Sequence, residues 1–358
     1  MQIADVLSII DAKDGVNTNM QNTQTMQAAP NVTVRRKNIS SINVFSAVAA
    51  FMVVIIHLYP SFKAWNYIEP FARTAVPFFF IRSGYFLYDD DSCIRRERIK
   101  KHTVRLLKLI VLSNLLYFAF EIINNAMNNA LGEFIGRCFS PQYLAILVLF
   151  NMPEWANHLW YLNAYLYVLM LYPLILKVSE RAHIYVASAL LLVACIPAYS
   201  MLLPFGPLHP VLVRNFLFTG LPFFMFGTLI KKYGAESLRK LPLWIAVAAA
   251  GVLAERLFLI KTGLYTKSEM FVFVALLTVL LFVWAVKHPN FGHGDVLDRI
   301  GDKYSMYIFI NHWMVIVILS YFKDVPYFAI WNPVAVCVLC VAISAGYDRI
   351  KRRSRGDY

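Results

Sequence analysis

The sequence predicts an all-α integral membrane protein, a bundle of about ten transmembrane helices with both termini in the cytoplasm. Three observations carry that expectation. Of 358 residues, 59% are hydrophobic and only 15% charged, with a mean hydropathy of +0.55, where soluble domains carry about 25% charged residues. The apolar residues fall in blocks close to the ~20 residues that a helix needs to cross a bilayer. The basic residues collect in alternate connections between those blocks. By length alone the chain could form two or three soluble domains, but this composition excludes a water-soluble globular enzyme.

Residues 1–38 are polar, rich in Asn, Gln and Thr, and close on Arg35-Arg36-Lys37. No basic stretch precedes an apolar run there, so they are not a secretory signal; they read as a disordered or loosely helical cytoplasmic tail. A transmembrane domain follows over 39–348, with expected spans at 42–60, 71–88, 105–126, 158–177, 182–203, 212–230, 241–259, 270–287, 304–322 and 328–347. The run 141–152 is about half a span long and suits a re-entrant or interfacial segment. With the N-terminus inside, Lys and Arg concentrate in the inner segments, such as Arg95–Lys101 and Lys231–Lys240, while the outer ones hold scattered charges. That bias obeys the positive-inside rule only if 141–152 does not cross. Residues 349–358 read as a short basic cytoplasmic tail.

The formal charge of +13 is therefore an orientation signal facing membrane lipid, and nucleic acid is not an expected partner. Cys93, Cys138, Cys195, Cys337 and Cys340 form no disulfide framework, and the CxxC of Cys337 and Cys340 lies inside an apolar run, where packing is its expected role. No solenoid repeat, Walker loop, HExxH or GxSxG is present. No His/Asp/Glu cluster has metal-ligand spacing, so no metal is expected.

Ionisable groups in hydrocarbon cost roughly 2.5–3.5 kcal/mol on insertion scales, so each one inside a span is a candidate site residue. His57 lies near the outer end of the first span. Arg82, in VPFFFIRSGYFL, lies roughly 9 Å from the inner end of the second; it can bind an anion or snorkel to the inner headgroups. His158, Trp160 and Asn163 open the fourth expected span at the outer face, where Trp and Tyr are ordinary anchors but His158 and Asn163 could share a polar cavity with His57. Asn311 and His312 lie roughly 12 Å into a later span, which suggests an internal cavity. Glu255 and Arg256 are adjacent, which favours a mutual or nearby ion pair. Asn215 and Thr219, four apart, face either a cavity or a neighbouring helix.

Five stretches, in order, resemble the membrane-bound acyltransferase type 3 family. SINVFSAVAAFMVVIIHLYP is similar to its first helix with the signature histidine, and VPFFFIRSGYFL to its FF-x-x-SGY helix. HLWYLNAYLYVLMLYPLI is similar to its Trp-Tyr/Phe-Leu helix closing with Pro. NFLFTGLPFFMFGTLI is similar to its Gly-x-x-x-Phe-x-x-Gly helix, and IGDKYSMYIFINHWMVI to its Gly-x-x-Ser-x-x-x-Tyr-x-x-x-His helix. The resemblance spans roughly residues 40–345.

The resemblance implies ten membrane helices that move an acyl group, usually acetyl, from cytoplasmic acyl-CoA (acetyl-CoA) to a hydroxyl of a cell-surface saccharide or other envelope molecule in a bacterial plasma membrane. His57 would then be the catalytic residue, either as general base or as transient acyl carrier. Arg82, Arg95, Arg98 and Arg105 would meet the CoA phosphates. The family's Arg-x-x-Arg corresponds either to Arg95 and Arg98 or to His102 and Arg105. The chain departs from the pattern at Ser46, where the family has a basic residue eleven positions before its histidine; Arg82, expected at a similar depth on the next helix, is positioned to supply that charge. The SGYFL stretch also resembles the membrane halves of certain vancomycin-resistance serine racemases, which implies a second reading, a serine-type transporter or sensor.

Overall fold

The computed structural model describes residues 39–58, 64–150, 152–177, 180–196, 213–235, 238–263 and 270–355. The expected N-terminal tail lies outside the described residues, as do parts of the spans expected at 182–203 and 212–230. The described chain is all helix, with no strand: α1 (Ser40–Leu58), α2 (Trp65–Ala72), α3 (Ala75–Leu87), α4 (Ser92–Met127), α5 (Leu131–Cys138), α6 (Pro141–Phe150), α7 (Trp160–Ile175), α8 (Glu180–Cys195), α9 (Leu221–Tyr233), α10 (Leu241–Lys261), α11 (Val272–Lys287), α12 (Val296–Lys303), α13 (Ser305–Ser320) and α14 (Phe328–Arg355).

Four of these, α1, α4, α10 and α14, are individually long and apolar enough to cross a membrane, and a fifth crossing results if the helices between Leu131 and Ile175 count as one broken span. The shorter apolar helices include α11 and α13. The span expected at 71–88 is broken at Arg73-Thr74. Thr74 Oγ1 donates to Phe71 O at 2.7 Å, and the break places Pro77 in the first turn of α3, where its missing N–H costs no helical bond. The run 141–152 forms the ten-residue α6. The basic tail expected from 349 instead continues α14 to Arg355; Lys and Arg are good helix formers, and Arg352 pairs with Asp348 one turn back at 2.9 Å.

The core is centred on α1. Twelve of its 19 residues are buried, because it packs against α2, α3, α11, α12, α13 and α14. By contrast α4 buries only Leu106, Ile110, Ser113 and Tyr117 along its 36 residues and exposes Val111, Leu112, Leu115 and Leu116. Such an apolar outer face is stable against lipid, and the helix satisfies its own backbone there.

Helices in lipid associate through close packing at small residues. The glycine of the Ser-Gly-Tyr stretch shows this: a methyl on Gly84 would collide with the Phe224 carbonyl of α9, and one on Gly227 would strike the Ile81 carbonyl of α3. The two glycines interlock α3 and α9 backbone to backbone.

Where α1 begins, α12 is clamped onto it by polar groups. Asn43 Nδ2 donates to Asp298 Oδ1 at 2.8 Å, and Gly294 N, in the turn before α12, donates to Asp298 Oδ2 at 3.1 Å; Ser41 Oγ donates to Ala285 O of α11 at 2.5 Å. Burial pushes the Asp298 carboxyl up, but the donors Asn43, Gly294 and Ser40, with His293 nearby, outweigh it and hold the carboxyl below its ordinary value.

Candidate functional site

At the other end of α1, three histidines from three separate elements converge. The His57 ring lies 5.0 Å from that of His312 on α13 and 5.7 Å from Trp313. His158, in the 3-10 turn Glu154–Leu159 that leads into α7, lies 5.4 Å from His312 and stacks on Trp313 at 5.9 Å. Tyr117 of α4 closes the far side, 4.3 Å from His158.

His312 is fully buried, and its Nδ1 lies 2.6 Å from Phe309 O. A carbonyl only accepts, so Nδ1 carries the proton and the neutral ring presents a lone pair at Nε2. The Nε2 atoms of His312 and His158 are both buried with no hydrogen-bond partner among the described residues. Buried polar atoms are nearly always satisfied, and the exceptions concentrate where chemistry or a bound molecule requires them.

His57 is only partly buried and lines a small open cavity. Besides His57, the cavity wall carries Arg73, Arg214, Trp160 and Thr219. Local structure brings Arg214 and Thr219 there. Asn215 adopts extended backbone and its Oδ1 accepts from Leu217 N at 2.9 Å and Phe218 N at 2.8 Å. The wide turn Phe216–Gly220 that follows is of the π type, a form common at functional sites. Thr219 Oγ1 donates to Val213 O at 2.6 Å. Asn215 and Thr219 thus brace their own segment's backbone, and Thr219 also lines the cavity, one of the two placements that their spacing suggested.

An ionic knot supports the wall. Glu69 accepts from Arg73 at 3.0 Å and 2.5 Å and pairs with the fully buried Arg256 at 3.4 Å, while Arg256 Nε donates to Asn66 O at 2.9 Å. The Glu255 carboxylate accepts from Val272 N and Phe273 N, each at 3.0 Å, capping α11 with negative charge at its positive end. Glu255 is thus tied to a helix end.

Asn311 is partly buried, about 100° round α13 from His312. Asn163 is partly buried on α7. Arg82 is partly buried beside Tyr161. Ser46 is fully buried and donates to Ile42 O of its own helix at 2.7 Å. Arg95 Nη1 donates to Asp89 O at 2.8 Å, Arg98 pairs with Asp89 at 2.9 Å, and Arg105 is exposed. Arg95 and Arg98 therefore form one basic group at the start of α4.

The sequence reading did not single out Tyr117, Arg73 or Arg214. Tyr117 had a signal: Leu106, Ile110, Ser113 and Tyr117 recur at 4-3-4 spacing, the inward stripe of a helix. Arg73 and Arg214 fall inside the spans expected at 71–88 and 212–230, and the fold brings both to the His57 cavity.

Comparison with known proteins agrees with this architecture. A family profile described as an acyltransferase domain matches residues 39–348. The chain belongs to the acyltransferase type 3 family. It is also similar to a serine/alanine racemase of Enterococcus gallinarum, 26% identical over 271 residues, which is 70% of this chain and 37% of the relative. An amino-acid racemase of Enterococcus faecalis is 30% identical over 151 residues, 38% of this chain and 20% of the relative. The chain thus matches less than two fifths of either relative's length. No solved structure matches it significantly.

Proposed function

We propose that the protein is an O-acyltransferase of a bacterial plasma membrane that moves an acyl group, acetyl in the first instance, from cytoplasmic acyl-CoA to a hydroxyl of a cell-surface saccharide or other envelope molecule. The observation that carries this reading is His57, joined to a buried histidine cluster on one side and open to a cavity on the other. In this reading the acceptor hydroxyl enters the cavity beside Trp160, and its oxygen attacks the thioester carbon. His57 takes its proton, the carbon–sulfur bond breaks, and the proton leaves with the CoA thiol. Carriage of the acyl group on His57 itself is the covalent variant of the same chemistry.

The donor's phosphates would meet Arg82, Arg95, Arg98 and Arg105, the first three near the inner ends of α3 and α4. The shorter helices would complete a count of about ten crossings, with both termini inside. The test is transfer from radiolabelled acetyl-CoA to an envelope fraction. His57→Ala should cut it about 100- to 10,000-fold while insertion is unchanged; an active His57→Ala protein removes the assignment. A mass comparison of surface glycans with and without the protein would then identify the acceptor.

The similarity to two amino-acid racemases favours one second reading, a serine-type transporter or sensor module. Serine uptake into vesicles carrying the protein, with no acetyl labelling, would select it.

A further inference from the structure

One hydroxyl bonds to both ends of a helical rung beside the histidine cluster. An α-helix joins each carbonyl to the N–H four residues on. On α13, Ile310 O accepts from the Tyr117 hydroxyl at 2.5 Å, and Met314 N donates to the same hydroxyl at 3.3 Å. The hydroxyl is thus tied to the α13 backbone on both sides of His312. The same phenol ring packs on His158 at 4.3 Å. Tyr117 is fully buried and belongs to a helix that otherwise faces mostly outward, so its polar tip has a specific task in the bundle.

His312 Nδ1 is committed to Phe309 O, so Nε2 points away from the α13 backbone, toward the bundle interior that holds the His57 and His158 rings. As a lone-pair acceptor it can hold an N–H of His57, directly or through one bridging hydroxyl, which leaves the other nitrogen of His57 as the base.

We propose that Tyr117 is a positioning residue: by bridging the Ile310–Met314 rung it aims the His312 Nε2 acceptor at His57, and so decides which nitrogen of His57 carries the proton. Its catalytic consequence rests on the acyltransferase reading, whereas its effect on the histidines does not. The experiment uses the full-length protein in lipid nanodiscs with 15N-labelled histidine, as wild type, as Tyr117→Phe, and with 4-aminophenylalanine at 117 as the variant that keeps a donor.

In the wild type His57 should show one neutral tautomer by 15N shift. Tyr117→Phe should give a mixture and lower kcat about 10- to 100-fold at unchanged KM for acetyl-CoA, with unchanged melting temperature, because the ring stays and α13 can close its own rung. The aminophenylalanine variant should restore the wild-type spectrum. A Tyr117→Phe spectrum identical to wild type overturns the proposal. A wild type that shows the tautomer effect but transfers no acetyl group refutes the acyltransferase reading alone.

Discussion

The two ends of α1 carry polar groups into the same apolar bundle, and they treat them in opposite ways. At its start, Ser41, Asn43 and Asp298 are buried and hydrogen-bonded. At its end, His57 meets two imidazoles whose Nε2 atoms have no partner among the described residues. A satisfied buried group contributes to stability, while an unsatisfied one costs about 1–3 kcal/mol. A protein that keeps the second kind beside a cavity has given up stability there for function. The first end is therefore a clamp, and the second is the end proposed to carry the reaction.

The largest effect that would test this contrast is the loss of transfer in His57→Ala described above. Next comes a change that separates function from stability. His312→Leu removes an unpartnered buried nitrogen, so the melting temperature should stay or rise while acyl transfer falls at least about 10-fold. A marked loss of thermal stability would mean that His312 is part of the scaffold.

The clamp should respond the other way. Asn43→Ala leaves Asp298 short of a donor and should cost about 1–3 kcal/mol, read as a lower melting temperature with kcat per folded molecule unchanged. The carboxyl of Asp298 is held below its unfolded value of about 3.9. Its contribution is present above that value and is lost as pH falls through the lower folded pKa, so acid unfolding of the wild type should steepen below about pH 4 and flatten in Asp298→Asn.

The smallest expected effect concerns the charge missing at Ser46. Ser46 is satisfied by its own helix, and Arg82 is the basic residue proposed to act in its place. The double variant Ser46→Arg with Arg82→Ile should retain transfer within about 10-fold, since a charge at similar depth reaches the same phosphates; an inactive double variant that inserts normally contradicts the substitution of one charge for the other.

Much of this was legible in the chain. Apolar composition predicted the all-helical class, and the cost of charge in hydrocarbon singled out His57, His158 and His312, which the fold brings together from positions up to 255 residues apart. What could not be read was long-range geometry. Nothing local in Tyr117 signals that its hydroxyl bonds α13, a contact 193 residues away in sequence. The Glu69 knot beside the break at Arg73-Thr74 includes Arg256 from α10, far away in sequence. Glu255 read as a member of a mutual or nearby ion pair with Arg256, because its role as a cap needs the start of α11, 17 residues on. Helix α14 ran past its expected end because basic residues stop a membrane span without stopping a helix.

The most direct measurement is acetyl transfer by the full-length protein reconstituted in proteoliposomes, with labelled acetyl-CoA supplied on one side and an envelope extract on the other. The wild type should label the extract, and His57→Ala, inserted to the same level, should label it at least about 100-fold more slowly. Equal labelling by the two proteins would place the chemistry somewhere other than His57.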